Sequence, residues 1–327
     1  MKKHIYIISD QRPGHVNQSQ GLLLPLQTKG IDVDVIILPS PRSSLKRFFL
    51  ILAKLFSRFP SILFRIYMLY YRTRPPSISD ASLFVSTGGD TLVANIILSR
   101  LTLTPNIFIG KRSRHTDHGV RLLITTVGSP VQDKVVVTDF APVNVQPLST
   151  QTDSRQYKLI AVLLGGDSNE YSYTDEDFDC LANSLNTLCQ RNNAKLLLTT
   201  SRRTGTIGDR LLQEKIESVF LEDVTWYSEN PSPTAASYCN RADIIFCSED
   251  SGTMLTESIS YGKPVVSFSP KKKETTAFYE KFLKKIRRYN VIMTDISSLS
   301  AVDVEKIPAA EKPDLTAATA AITALLN

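Results

Sequence analysis

The chain has little of what stabilises a disulfide-bonded or metal-dependent protein. Its 327 residues include four cysteines and four histidines, and no two cysteines are spaced as Cys-x-x-Cys. Three of the cysteines lie in apolar runs, so we interpret all four as reduced core residues, which is typical of a reducing compartment. The segment from His115 to His118 has no cysteine or carboxylate cluster to support it as a metal site, and we predict a polar loop there.

A long apolar run near the N-terminus is also missing. The stretch Ile5–Ile8 is far too short for the core of a secretory signal and runs directly into polar residues. It predicts a first β-strand instead, and we therefore expect a cytoplasmic protein.

Acidic residues are absent from one long window. No Asp or Glu occurs between Asp34 and Asp80, whereas the same window holds eight Lys and Arg residues. A second basic stretch runs from Lys271 to Arg288, although the net charge of the whole chain is only +6. Such clustering indicates an anionic partner, which could be a nucleic acid, a phosphate-bearing substrate or a membrane surface.

Short β-branched runs alternate with helical patterns along the chain, which predicts parallel sheets covered by helices. The segment 141–156 is rich in Pro, Ser, Thr and Gln and has the composition of a linker. We predict an α/β fold of two Rossmann-like doubly wound domains facing a cleft, residues 1–150 and 151–312, followed by a C-terminal helix in 313–327. The predicted strands are 4–9, 32–38, 83–86, 106–109, 121–125 and 135–138 in the first domain, and 159–164, 195–199, 244–247 and 265–268 in the second.

The loop after the first strand is dense in polar side chains. A substrate hydroxyl that acts as a nucleophile must lose its proton, and a positioned His or Asp can accept it. We call the molecule that carries such a hydroxyl the acceptor. We predict His15 as the general base and Asp10 as its orienting partner, with capping of the turn and helix as the structural alternative. A Gly-Gly-Asp sequence also ends a predicted strand of this domain, and we assign an acceptor-side role to Arg12, Gly14, Gly89 and Asp90.

Three loops at strand ends of the second domain suit a diphosphate ligand. Paired glycines let backbone N–H groups approach an anion, and adjacent guanidinium groups match phosphate oxygens. The N-terminus of a helix offers further N–H groups, and an acidic residue one turn later could bind ribose hydroxyls. Taken singly, each feature could be a tight turn, a solvated basic turn or a helix cap. The predicted donor-binding residues are Gly165, Gly166, Ser168, Ser201, Arg202, Arg203, Ser251, Gly252, Thr253 and Glu257.

Four motifs in order resemble the mitochondrial-fission ELM family. They read SDQRPGHVNQ, LLGGDS, TSRRT and ADIIFCSEDSGTMLTES with a following GKPV, and they span nearly the full chain. Bacterial members of that family are regarded as glycosyltransferases, some of them in lipopolysaccharide outer-core synthesis, while plant members are associated with organelle division. The resemblance implies a GT-B fold, a donor nucleotide held mainly by the second domain, and a loop 10–15 that faces the acceptor.

Residues 42–74 combine apolar and basic side chains. Apolar residues dominate 45–71, but Lys54, Arg58 and Arg65 interrupt them, and Pro60 should break any helix. The uncharged runs are well short of the ~20 residues of a membrane span. Two short amphipathic helices of this kind suit docking on anionic lipid, and a buried helical hairpin is the alternative. The apolar content and the lack of a nucleic-acid-binding motif disfavour nucleic acid as a partner.

These features predict a glycosyltransferase that moves a sugar from a nucleotide-diphosphate sugar to a lipopolysaccharide, oligosaccharide or other lipid-linked acceptor. We expect inversion at the anomeric carbon, with no metal and no cofactor, at the inner face of the cytoplasmic membrane. Two alternatives stay open. One is a nucleotide-sugar 2-epimerase, which uses the same architecture without an acceptor, and the other is a non-catalytic membrane-associated adaptor.

Overall fold

The structure is a computed structural model that describes residues 3–27, 31–39, 41, 43–145 and 156–327. Most of the predicted linker lies outside the described residues, as does Arg42 of the basic segment. The chain forms two compact units, Met1–Asn144 together with Pro313–Asn327, and Val145–Lys312. The C-terminal segment thus belongs to the first unit.

The first unit is built on a parallel six-stranded sheet with the strand order β2-β1-β3-β4-β5-β6. The six predicted strands are all present. The central strands β1, β3, β4 and β5 are mostly or entirely buried, as parallel strands covered on both faces require, whereas β2 at the edge leaves its side chains exposed or half-buried. They are β1 (His4–Ser9), β2 (Asp32–Ile37), β3 (Leu83–Thr87), β4 (Asn106–Ile109), β5 (Leu122–Thr125) and β6 (Val135–Val137).

Helices cover both faces of this sheet. Ile5 and Ile7 of β1 pack with α1 and α11 on one face, and Ile8 packs with α2, α3 and α4 on the other. The predicted polar loop around His115 is wrong, because Ser113 and Thr116 form a capping box that starts α5 there. The helices of this unit are α1 (Pro13–Gln27), α2 (Lys46–Leu55), α3 (Pro60–Tyr71), α4 (Leu92–Thr102), α5 (Arg114–Gly119) and α11 (Thr316–Leu326).

The second unit contains another parallel six-stranded sheet, in the order β10-β9-β7-β11-β12-β14, and a small antiparallel ribbon formed by β8 and β13. Its core packs α6 and α7 against one face, while α8 and α9 contact central strands of the sheet. Its strands are β7 (Lys158–Leu163), β8 (Tyr171–Ser172), β9 (Ala194–Thr199), β10 (Leu221–Thr225), β11 (Ile244–Ser248), β12 (Val265–Ser269), β13 (Lys272–Lys273) and β14 (Ile292–Asp295). Its helices are α6 (Asp175–Asn192), α7 (Gly205–Lys215), α8 (Ala235–Arg241), α9 (Gly252–Ser260) and α10 (Ala277–Arg287).

Both outer strands of the second sheet, β10 and β14, lie outside the strands predicted from sequence. Each leaves most of its side chains exposed or half-buried, so neither has the continuous apolar run of a central parallel strand. The prediction of an α/β fold with two Rossmann-like doubly wound domains is confirmed. Within the part of the chain that the structure describes, none of the helices has the length and apolar character needed to span a bilayer.

A histidine lies between two carboxylates at the start of the first sheet. His4 Nδ1 is 2.8 Å from Asp80 Oδ2, and His4 Nε2 is 2.8 Å from Asp34 Oδ2. The hydrogen bond with Asp80 is the main reason that the pKa of His4 lies above its ordinary value of 6.5, against the opposing effect of partial burial. A histidine whose pKa is higher in the folded state than in the unfolded state stabilises the fold fully at pH values below its unfolded-state pKa. This contribution is lost as the pH rises through the folded-state pKa.

We therefore expect the free energy of unfolding of the native protein to decline above a pH of about 6.5 more steeply than that of a His4→Gln variant. Urea denaturation followed by circular dichroism over this interval measures the difference. Equal slopes in the two proteins would contradict the prediction.

Candidate functional site

The strand order of each sheet reverses at one point. The reversal falls between β1 and β3 in the first sheet, and between β7 and β11 in the second. In open parallel sheets, ligands bind beyond the carboxyl ends of the strands at such a switch point. Residues 10–12 and the first turn of α1, which holds Gly14 and His15, follow β1, and the loop 88–90 follows β3. The loops 164–168 and 249–251 follow β7 and β11, and the loop 200–204 follows β9, the neighbour of β7. Most candidate residues of each unit therefore flank its switch point.

In the first unit the structure brings Asp10 and His15 together. The two carboxylate oxygens of Asp10 lie 2.9 and 3.0 Å from Nδ1 of His15. The Asp10 side chain is only 7% exposed and that of His15 is 25% exposed. The carboxylate accepts a hydrogen bond from Nδ1–H, so Nε2 of the neutral ring carries the lone pair. Nε2 can therefore accept a proton from a bound hydroxyl.

Gly88, which is not among the predicted site residues, makes room for this histidine. Its φ of +93° is in the left-handed region, and a Cβ on it would lie 2.3 Å from Nδ1 of His15. Any other residue would therefore displace the imidazole. The signal available in the sequence was the first glycine of the Gly-Gly-Asp loop.

The remaining acceptor-side residues are placed less tightly. Arg12 Nη2 is 3.4 Å from Asp90 Oδ2, but the arginine side chain is 65% exposed, so this ion pair is weak. A Cβ on Gly89 would lie 2.6 Å from Lys46 Nζ, whereas Gly14 has open space beside it. Arg12 and Asp90 thus join the His15 site, whereas a Cβ at position 14 would meet no residue beyond its neighbours in the chain.

Helix α3 reaches the same loop through Tyr71. The Tyr71 hydroxyl donates to the carbonyl of Asp90 at 2.7 Å and accepts from the N–H of Ala94 at 3.1 Å. Burial raises the pKa of Tyr71 well above its ordinary value, so the hydroxyl keeps its proton at physiological pH. The helical hairpin α2–α3 is therefore fixed directly to the candidate acceptor side.

In the second unit the N–H groups of the predicted glycine pair donate hydrogen bonds to side chains of the protein itself. Gly165 N–H donates to Ser248 Oγ at 2.7 Å, and Gly166 N–H donates to Asp250 Oδ2 at 3.1 Å. This corrects the expectation that both amides contact a ligand anion. Gly166 instead permits close approach of two loops, since its φ is +136° and a Cβ would lie 2.2 Å from the carbonyl oxygen of Arg203.

The two adjacent arginines have different surroundings. Arg203 Nη2 lies 2.7 Å from Asp250 Oδ2, and the Asp250 side chain is completely buried. Arg203 also donates to the carbonyls of Gly166 and Asp167, each at 3.3 Å. Its guanidinium is therefore held by groups of the protein, and its predicted role at the donor site stays a prediction. Arg202 is exposed and pairs with no carboxylate of the described chain, so it is the guanidinium available to an anion.

The two predicted serines shape turns. Ser201 Oγ donates to the Gly165 carbonyl at 2.5 Å and accepts from the N–H of Arg203 at 3.1 Å. Ser168 Oγ accepts from the N–H groups of Glu170 and Tyr171, both at 3.2 Å. The Ser168 hydroxyl proton is thus still available to a ligand, whereas that of Ser201 is used.

The N-terminus of α9 offers backbone N–H donors to an anion. Ser251 occupies the N-cap position without forming a side-chain cap, so the N–H groups of Gly252, Thr253 and the next residue lack intrahelical acceptors. The helix dipole adds partial positive charge at this end. Glu257 lies about one turn further along α9 and is half-buried.

Glu249 and Asp250, which directly follow β11 and are not among the predicted site residues, form a buried network. Glu249 Oε1 accepts from Tyr171 Oη at 2.7 Å and lies 3.0 Å from Lys273 Nζ. Asp250 Oδ1 accepts from Tyr173 Oη at 3.0 Å. These contacts connect the loop after β7 and the β8–β13 ribbon to the start of α9. The signal was two adjacent carboxylates directly after an apolar strand.

The hairpin α2–α3 buries one side and exposes apolar residues on the other. Phe49, Leu50 and Ala53 of α2 belong to the core of the first unit. On the opposite side of α2, Ile51 and Leu55 are 55% and 68% exposed. One side of the hairpin is thus buried in the core, as the alternative interpretation expects, and docking of the other side on lipid stays a prediction. We call the exposed side the α2–α3 surface, formed by Phe48, Ile51, Leu55, Phe59, Phe64 and Leu69 with the neighbouring Arg47, Lys54, Arg58 and Arg65.

Comparison with known proteins gave one family match. A model of the family described as Mitochondrial fission ELM1 matches residues 13–322. None of the curated proteins compared with the chain matches it.

Within the described ranges, no three or more His, Cys, Asp or Glu side chains are grouped so that they could hold a metal ion.

Several solved structures are similar at low identity. The glycotransferase of kitacinnamycin is 13% identical with a TM-score of 0.47, over 99% of this chain and 94% of that one. The UDP-GlcNAc 2-epimerase from Neisseria meningitidis bound to UDP-GlcNAc is 14% identical with a TM-score of 0.48, over 100% and 99%. The glycosyltransferase VinC in complex with DTDP is 11% identical with a TM-score of 0.45, over 99% and 94%.

Proposed function

Starting from the mitochondrial fission ELM1 family, to which the chain belongs, we propose that the protein transfers a sugar from a nucleotide-diphosphate sugar to an acceptor hydroxyl. The observation that carries this proposal is the switch point of the second sheet. There the uncapped N-terminus of α9 and the Gly165–Gly166 loop follow the two strands at which the strand order reverses.

The leaving diphosphate is bound by the first-turn N–H groups of α9 and by Arg202. Helix N-termini and guanidinium groups both stabilise phosphate oxygens, and they would neutralise the charge that develops as the anomeric bond breaks. Glu257 binds the ribose hydroxyls of the donor. Arg203 and Asp250 position these groups, and the transfer proceeds without a metal.

The acceptor hydroxyl is activated by His15. As its oxygen attacks the anomeric carbon, the bond to the diphosphate breaks and the hydroxyl proton moves to Nε2 of His15. Asp10 keeps Nδ1 protonated and stabilises the imidazolium that forms. Direct displacement of this kind inverts the anomeric configuration.

The acceptor is lipid-linked and is presented by an anionic membrane surface. The α2–α3 surface combines exposed apolar side chains with basic ones, which suits docking at a lipid interface. The hydrogen bond from Tyr71 to the Asp90 carbonyl joins this hairpin to the acceptor side. A lipopolysaccharide precursor at the inner face of the cytoplasmic membrane fits both features.

Donor binding is tested by thermal shift of the full chain with UDP, GDP, CMP and their sugar conjugates, without added metal. A ligand present at ~100 times its Kd should add about 2.7 kcal/mol to stability. Arg202→Ala should weaken the Kd about 10- to 100-fold, because a hydrogen bond to a charged group is lost, and Glu257→Ala should also weaken it.

The matched control is Arg210→Ala, which removes an exposed arginine of the same unit whose ion pair with Glu214 is loose, at 3.9 Å. It should leave the nucleotide shift unchanged. No shift with any nucleotide in a folded protein would contradict the proposal and favour a non-catalytic adaptor. Sugar interconversion without an acceptor would favour the 2-epimerase.

Membrane docking is tested with an Ile51→Ser/Leu55→Ser variant. Both side chains are largely exposed in the native protein, so the variant should fold normally yet bind anionic vesicles at least about tenfold more weakly, since it loses apolar surface that inserts into lipid. Co-sedimentation measures the change. The matched control, Leu103→Ser/Val127→Ser, removes two exposed apolar residues elsewhere in the unit, and an equal loss in that variant would argue against docking through α2–α3.

A further inference from the structure

A second concentration of positive charge surrounds α10 of the second unit. Residues 271–288 contain eight Lys and Arg and two Glu, an excess of six that equals the net charge of +6 of all 327 residues. Lys273 pairs with Glu249 of the network described above, but Lys281, Lys284 and Arg288 belong to neither the donor site nor the α2–α3 surface.

Helix α10 has an inner and an outer side. Leu283 and Ile286 are buried, and Tyr279 packs against Tyr171 with ring centroids 5.8 Å apart. On the outer side, Phe278 is 76% exposed. It is followed at helical spacing by Lys281, Lys284 and Arg288, which are also exposed. We call these four residues the α10 surface.

The cations of the α10 surface are not neutralised within the protein. None of Lys281, Lys284 and Arg288 forms an ion pair with another described residue. Of the two acidic residues in the segment, Glu280 accepts a hydrogen bond from Thr275 and Glu274 is exposed before the helix begins. The positive charge therefore faces solvent.

The spacing of these cations argues against one small phosphate ligand. At 1.5 Å per residue, Lys281 and Arg288 are separated by roughly 10 Å along the helix axis, farther than the oxygens of one phosphate group can reach. The surface is the convex side of a helix, whereas single-stranded nucleic acid is held in a groove with several stacked aromatic residues. An aromatic side chain among basic ones on an amphipathic helix is typical of contact with anionic lipid.

We propose that the α10 surface is a lipid-binding surface of the second unit, separate from the α2–α3 surface. Lys281, Lys284 and Arg288 contact anionic phospholipid headgroups, and the Phe278 ring enters the interfacial region between headgroups and acyl chains. This inference goes beyond the proposed transfer reaction, because donor binding at α9 does not require it.

The first experiment is co-sedimentation of the full chain with vesicles of phosphatidylcholine alone or mixed with phosphatidylglycerol. Each basic residue near an anionic membrane surface accounts for about fivefold in binding, so Lys281→Ala/Lys284→Ala/Arg288→Ala should bind the mixed vesicles about a hundredfold more weakly. The matched control, Arg210→Ala/Lys215→Ala/Lys306→Ala, also removes three exposed cations of this unit. Its binding to the mixed vesicles should weaken by less than about tenfold. Equal losses in the two variants would overturn the proposal.

The second experiment uses fluorescence. A Phe278→Trp variant should show a blue-shifted emission with mixed vesicles, whereas the native Trp226 is nearly buried and should change little. A shift of equal size with single-stranded RNA, or none with vesicles, would overturn the assignment to lipid. Retention of the nucleotide thermal shift in the α10 variants separates this result from a failure of the proposed transferase function.

Discussion

Replacing His15 by alanine is expected to slow sugar transfer by about 10²- to 10⁴-fold, the usual contribution of a general base. The expectation follows from the structure around the ring, in which Nδ1 bonds the nearly buried Asp10 carboxylate and Nε2 is left to accept the acceptor proton. Nucleotide affinity should be unchanged, because His15 and the proposed donor residues belong to different units. Single-turnover transfer to a soluble acceptor analogue, together with thermal shift, measures both quantities.

Asp10→Asn supplies an independent check. An asparagine amide can donate to Nδ1 and would then favour the tautomer with the proton on Nε2, so the ring could no longer act as a base. We expect a loss similar to that of His15→Ala, and we expect full activity in His118→Ala, which removes an exposed histidine of the same unit. Transfer at the native rate in His15→Ala would remove His15 from its proposed role.

Arg203→Ala is expected to lower the free energy of unfolding by about 3–5 kcal/mol, because it leaves a buried carboxylate without its cation. The Asp250 side chain is completely buried, whereas that of Arg203 is 31% exposed. Asp250→Asn, which keeps a side-chain acceptor near Gly166 N–H and Tyr173 Oη, should therefore cost less, since the guanidinium that it leaves unpaired can reach water. Urea denaturation of each variant gives the comparison.

Arg202→Ala is the matched control for this prediction. The two arginines are adjacent, but Arg202 is exposed and without a carboxylate partner among the described residues, so its removal should change stability by less than about 0.5 kcal/mol. We expect one variant to lose stability and the other to lose nucleotide affinity. If Arg203→Ala and Arg202→Ala unfold at the same urea concentration, the assigned division of roles is wrong.

Local sequence patterns were sufficient for most of the fold. Both buried sheets follow from β-branched runs, and the break at Pro60 correctly separates α2 from α3. The outer strands β10 and β14 did not follow, because a strand at the edge of a sheet can carry polar residues. Helix α10 was visible only as a basic stretch, since its inner apolar residues form a narrow stripe among many cations.

By itself, the sequence determined which loops hold the candidate site, because glycine pairs, hydroxyl residues and charges at strand ends are local features that a linear pattern displays. Only the tertiary structure decided how each polar group in those loops is used. The amides of Gly165 and Gly166 and the guanidinium of Arg203 find partners at Ser248 and Asp250, about 45 to 85 residues away along the chain by the numbering in the sequence. Buried donors and charges must be satisfied by whatever group the fold brings beside them, and for these residues that group lies at the end of β11 or in the loop directly after it.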